Sequence, residues 1–327
     1  MSAAGRNVGR EPLADLVGDL RQLASVRRVE LADGPERGVR ALVFSTGGGL
    51  DFWVLQDRSM DIGTLAWRGV PVAWLHPGGF AHPGLGDPAR DGGRGIERSL
   101  GGFLVTCGLD NVRQPRDGRP LHGTLPFTPA RLIACGEDWA APTPVLYAEA
   151  EMVSARLHGA SFRLVRRIEA EIGRTRLTVS DTVENIGPEP AEMMILYHVN
   201  LGFPAVGRGT AVALDGRPIP FRDTVSDAAP PAAVTYPTGD GDGDFAVSVV
   251  RPPTGDWPGF RMEILGARQR LPHVQFWQDW RRRRNIFSIE PVNCDRNADG
   301  TSGPGTLLAP GERWTSTLRI GFAQPTV

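Results

Sequence analysis

FRLVRRIEAEIGRTRLTVSDTVENI, residues 162–186, decides the fold class. Phe162, Leu164, Ile168, Ala170 and Ile172 fall on one parity, interrupted only by Arg166. After Gly173-Arg174-Thr175, Leu177, Val179 and Val183 share one face, while Thr178, Ser180, Thr182 and Glu184 take the other. A strand turns successive side chains to opposite faces, so this alternation describes two strands of a hairpin with one buried side and one wet side.

The same grammar runs outward in both directions. Val39–Phe44 and Leu50–Leu55 are apolar runs separated by Gly47-Gly48-Gly49, a hairpin signature. At the far end Pro310-Gly311 makes a turn, after which Trp314, Ser316, Leu318, Ile320 and Phe322 alternate with Thr315, Thr317 and Arg319. Many short strands divided by turn residues indicate an all-β antiparallel sandwich or barrel. Helical spacing occurs once, in Leu13, Leu16, Val17, Leu20 and Leu23, which predicts a short N-terminal helix over Pro12–Leu23. The expected organisation is an extension over residues 1–25 carrying that helix, then one β domain over 26–327. Asp223–Asp244, rich in Pro, Ala, Gly and Asp, reads as a surface loop.

Composition removes several function classes. The net charge of −1 supplies no field to gather nucleic acid or an anionic membrane. Lysine is absent, so a lysine Schiff base and a P-loop lysine are both excluded. Cys107, Cys135 and Cys294 form no CxxC pair, and their odd number argues for a reducing compartment. With no apolar leader and no membrane-length run, the expectation is a cytoplasmic protein. Asp295–Gly300 matches the first half of a calcium loop, but position twelve is Thr306 rather than Glu, and no metal is expected.

Three segments carry groups suited to proton transfer. His122 precedes Gly123 in RPLHGTLPFTPA, where a sharp turn or a close ligand approach is allowed. His198 ends the apolar run MMILYHVN before a Gly202-Phe203-Pro204 corner. Glu290, in NIFSIEPVN, shares strand parity with Ile286 and Ser288 and leaves the strand poorly solvated. Each, taken alone, also suits a structural role: a satisfied histidine, or a glutamate paired with Arg281–Arg284.

In order and spacing, His122-Gly123, Tyr197-His198-Val199-Asn200-Leu201, and Glu290 followed by Asn293 resemble the three catalytic segments of the aldose 1-epimerases (galactose mutarotases). More closely, DRSMDIG (57–63), GGFLVTCGLDN (101–111), LHGTLPFTPA (121–130), YHVNLGFP (197–204) and PGERW (310–314) resemble an uncharacterised branch of that superfamily. The resemblance spans about residues 25–325. It implies a galactose mutarotase-like β-supersandwich and a cofactor-free reaction. Glu290 would take the proton from the anomeric hydroxyl, His198 would protonate the ring oxygen, and His122 would assist near that oxygen.

The Asn-Arg element and the substrate-gripping Asp of typical mutarotases have no evident counterparts. Arg58, Asp61, Asn111 and Gln275 are the candidates for hydroxyl contacts, and Trp277 or Trp280 for stacking on the sugar. Arg58 and Asp61 have opposite parity, so both reach one site only if the chain bends after Met60. The expected ligand is a monosaccharide or modified sugar, with no nucleic acid or membrane partner and a homodimer as the assembly to consider. Two alternatives stand beside the epimerase. One is a metal-dependent sugar or uronate isomerase using His122, His198 and Glu290 as ligands; the other is a non-catalytic sugar-binding module.

Overall fold

The computed structural model describes residues 7–8, 11–222 and 224–325. Almost all regular structure in it is antiparallel β, in a nine-stranded and an eleven-stranded sheet, with a two-stranded ribbon near the N-terminus. Six strands matter for the argument: β1 (Leu104–Leu109), β2 (Ser161–Glu171), β3 (Arg176–Asn185), β4 (Ala191–Leu201), β5 (His273–Asp279) and β6 (Ile286–Val292). β2 and β3 are the hairpin of residues 162–186 and lie in the nine-stranded sheet. β5, β6, β4 and β1 are consecutive neighbours in the eleven-stranded sheet.

The break in the hairpin alternation at Arg166 is answered by one on the neighbouring strand. Arg166 sits where β2 should present an apolar group, and Asp181 does the same on β3; the two are direct cross-strand partners. Both face the interior. Arg166 Nε donates to Asp181 Oδ1 at 2.8 Å and Nη2 to Oδ2 at 2.6 Å. Tyr197 of β4 donates its hydroxyl to the same carboxylate, and Arg166 Nη1 donates to Thr106 Oγ1 of β1 at 2.7 Å. A charge enters a core only when paired and hydrogen-bonded. Here that pairing also ties the two sheets together. The Asp181 charge raises the Arg166 pKa even though burial alone would lower it.

Around this polar knot the sheets share one large apolar core, with Trp67 of one sheet against Phe260 of the other at 6.1 Å between rings. The glycine hairpin is as read: Arg40–Ser45 pairs with Leu50–Leu55. The C-terminal strand, Arg313–Ala323, alternates strictly, with Trp314, Leu318, Ile320 and Phe322 buried.

The expected N-terminal helix is instead two 3-10 turns, Leu13–Asp15 and Leu20–Gln22. Gly18 lies between them, and Asp19 starts the second turn afresh by accepting the Arg21 N–H at 2.9 Å. Neither turn buries a residue, so no packed face is present to offset the cost of a continuous helix. The Asp223–Asp244 stretch also differs from a plain surface loop. It contains the strand Val234–Pro237, which extends the sheet beyond β5; residue 223 lies outside the described residues.

β1, β4 and β6 are buried on both faces rather than one. Their inner side chains, such as Leu104, Tyr197, Val199 and Ile289, belong to the shared core. Val105, Cys107, Met194, Leu196 and Val292 form a second apolar cluster on the outer face. That face is roofed by loops, and the roof leaves a cavity.

Candidate active site

Register alone assembles the floor of the cavity. Gln275 of β5 and Glu290 of β6 are direct partners. The pairs Leu196–Val292 and Val199–Ile289 bracket His198 and Glu290, placing those two opposite each other on β4 and β6. All three side chains have the outer parity. They therefore project away from the core into a cavity of about 400 Å³, also lined by Arg113, His122 and Trp277. That volume falls in the range of about 300–1,000 Å³ usual for small-molecule sites.

Glu290 is 1% exposed and its two oxygens are held differently. Ser288 Oγ donates to Oε1 at 2.6 Å, and Gln275 Nε2 donates to Oε2 through a short hydrogen bond. His198 Nε2 lies 3.4 Å from Oε1, close enough for charge interaction and longer than a good hydrogen bond. The other ring nitrogen of His198, Nδ1, is buried without a partner among the described residues. Gln275 is oriented in turn by Arg113, whose Nε donates to Oε1 at 3.1 Å, leaving the amide nitrogen for Glu290.

His122 comes from the loop after β1. It has φ of 62°, and Gly123 follows with φ of 74°. A Cβ at Gly123 would lie 2.4 Å from the carbonyl oxygens of Gly108 and Asn111, so only glycine fits. The turn aims the His122 ring edge-on at His198, with centroids 5.1 Å apart. Nδ1 lies 2.9 Å from the Val112 carbonyl oxygen. A carbonyl only accepts, so Nδ1 carries the hydrogen and Nε2 keeps its lone pair. Burial first, and the charge of His198 second, push the His122 pKa down to about 4, against the opposing pull of Glu290 and the Val112 carbonyl. His122 is therefore a neutral acceptor at physiological pH. Cys107, beneath the same face, is pushed well above the usual thiol range by burial and by Glu290, so it stays an inert thiol.

Of the expected residues, His122, His198, Glu290 and Gln275 meet in this cavity, and Trp277 lines it. Trp280 is buried elsewhere, edge-on to Phe221. Arg58, Asp61 and Asn111 are not brought to the cavity. The bend after Met60 does occur, with Ser59 and Met60 both at positive φ, and it brings Arg58 within 3.8 Å of Asp61. That meeting takes place inside the protein, where Asp61 also lies 3.8 Å from Arg166. Desolvation raises the Asp61 pKa to about 6, against the pull of Arg58 and Arg166.

Asn111 spends its side chain on the loop itself. Nδ2 donates to the Arg113, Gln114 and Pro120 carbonyls and Oδ1 accepts from Ser302. It thereby shapes the loop that carries His122. Two site residues were not foreseen. Ser288 had a signal, its shared parity with Glu290 two positions on; Arg113 had none, because its partners lie more than 160 residues away in sequence. Among the described residues no group of three or more His, Cys, Asp or Glu side chains is arranged to hold a metal ion.

The sequence model of the family described as "Domain of unknown function (DUF4432)" matches residues 36–322. The chain belongs to this family. No curated protein sequence matches this DUF4432 chain. Solved structures do match it in fold. A candidate aldose 1-epimerase from Klebsiella pneumoniae subsp. pneumoniae superposes with a TM-score of 0.80 at 16% identity, over 93% of this chain and 86% of that one. A galactose mutarotase-like protein from Clostridium acetobutylicum gives 0.56 at 12% identity, over 92% and 98%. Galactose 1-epimerase from Lactobacillus acidophilus NCFM gives 0.52 at 8% identity, over 92% and 99%. At such identities the likeness is one of fold, and the DUF4432 chain has the galactose mutarotase-like fold.

Proposed function

We propose that the chain is a carbohydrate-active isomerase of the aldose 1-epimerase kind, interconverting the anomers of a sugar by acid–base ring opening. The observation that carries this reading is the placement of His198 Nε2 3.4 Å from the Glu290 carboxylate at the floor of the cavity. In the proposed reaction Glu290 takes the proton of the anomeric hydroxyl while His198 delivers one to the ring oxygen. The ring bond breaks, the aldehyde turns its other face, and the two groups run the same transfers backwards to close the ring. Held neutral by its surroundings, His122 serves as an acceptor that orients a hydroxyl rather than as the acid. Ser288 and Gln275 donate to Glu290 and keep its oxygens in place as it gains and loses the proton.

The test is anomeric exchange of a sugar panel followed by NMR. General-base catalysis contributes about 10²–10⁴-fold, so Glu290→Gln is expected to lose that much rate while its unfolding midpoint stays close to wild type. Equal exchange by wild type and Glu290→Gln would defeat the enzyme reading and leave a sugar-binding module. A large loss of stability would instead give Glu290 a structural role.

A further inference from the structure

Arg113 is 3% exposed and lines the cavity, and no carboxylate pairs with it among the described residues. Its Nε donates to Gln275, and Nη1 donates to the carbonyls of Cys294 and Asp295 at 3.1 and 2.6 Å and to the Cys294 sulfur. Nη2 is buried with no acceptor among the described residues. A buried guanidinium held only by neutral groups, with one nitrogen unsatisfied, is an expensive arrangement. A second arginine, Arg296, follows directly on the Cys294–Asp295 backbone that grips Arg113; it also lines the cavity and makes no ion pair among the described residues.

The carboxylates of the cavity do not answer this charge. Glu97 is engaged by Arg94, and Asp299 accepts the N–H and hydroxyl of Thr301. Glu290 is separated from Arg113 by the Gln275 amide, which bonds to both.

We infer that the sugar bound here carries an anionic group, a carboxylate or a phosphate, which pairs with Arg113 and Arg296 while the anomeric hydroxyl meets Glu290. This deepens the epimerase reading and rests on it. Gln275 then acts as a spacer: one end of its amide marks the anion pole of the site and the other the reacting pole. The hydroxyls of a neutral sugar can accept from Arg113 Nη2 but leave its charge uncompensated. A carboxylate or phosphate supplies both an acceptor and the opposite charge, in a charge-assisted hydrogen bond.

The experiment compares hexuronates and hexose 6-phosphates with their neutral parent hexoses, using wild-type protein, by NMR exchange and by calorimetric binding at low and high salt. At least one acid is expected to exceed its neutral parent about tenfold in kcat/KM and in affinity, the affinity gain shrinking as salt screens the pair. The two acid arms tell carboxylate from phosphate. Arg296→Gln is expected to lower kcat/KM for that acid about tenfold while the neutral parent changes less than about twofold, with Arg296→Lys recovering part of the loss. Neutral parents that bind and react as well as the acids, acids that do not bind at all, or equal losses on both in Arg296→Gln would overturn the inference. Tighter binding of an acid without exchange of any sugar would sink the epimerase reading and leave the anion site standing.

Discussion

Replacing His122 by Asn should remove one identifiable piece of the pH dependence of stability. In the folded chain the His122 pKa is held down to about 4, against 6.5 for the free side chain. Between those values the unfolded chain binds a proton that the folded chain refuses. Stability therefore falls as the pH drops: the His122 contribution is whole above about pH 7 and declines through pH 6.5 towards 4. A shift of 2.5 units corresponds to about 3 kcal/mol in all. About 2 kcal/mol of it should be gone by pH 5.

Urea unfolding of wild type and His122→Asn at intervals from pH 7.5 to 4.5 provides the assay. Other histidines and carboxylates titrate in both proteins, so the difference between the two curves isolates His122. Wild type should lose about 2 kcal/mol more than the variant between pH 7.5 and 5. Parallel curves would mean that His122 titrates as an exposed histidine. The neutral-acceptor role built on its burial and on the Val112 hydrogen bond would fall with it.

Two further perturbations probe the frame around the site. Asp181→Ala strands the Arg166 charge in the core and removes the acceptor of Tyr197, so chemical denaturation should show a loss of about 3–5 kcal/mol; replacing both partners at once with apolar side chains, Arg166→Met together with Asp181→Leu, should restore much of it. Gly123→Ala forces a side chain against the Gly108 and Asn111 carbonyls, and should cost at least about 2 kcal/mol and displace His122, read as a lower unfolding midpoint together with a lower exchange rate.

Period-two alternation made most of the fold legible, because each strand with one buried face writes that face into its sequence. It was least informative where both faces are buried. The run MMILYHVN hides two different environments: Tyr197 enters the shared core, and His198 turns outward under the roof. The interruption at Arg166 was visible, yet its explanation was not, since Asp181 is a partner only once the hairpin register is set. The same limit separates the site residues. His122, His198 and Glu290 sit in local contexts that single them out, whereas Arg113 takes its meaning from Gln275 and the Cys294–Asp295 carbonyls, brought near by folding alone. Arg58 and Asp61 misled for a related reason: a polar pair on a bend looks the same in sequence whether it faces a ligand or the interior.

The cavity has a floor of adjoining strands and a roof drawn from separated stretches of chain, among them Ala232-Ala233 and Arg296–Gly300. His198 and Glu290 belong to the floor, where the backbone is committed to the sheet. Roof residues carry no such commitment. Substitutions there can alter which molecule is admitted without disturbing the two strands that present His198 and Glu290, so under the proposed function the preference for one sugar over another is free to change over evolutionary time while the acid–base pair stays as it is.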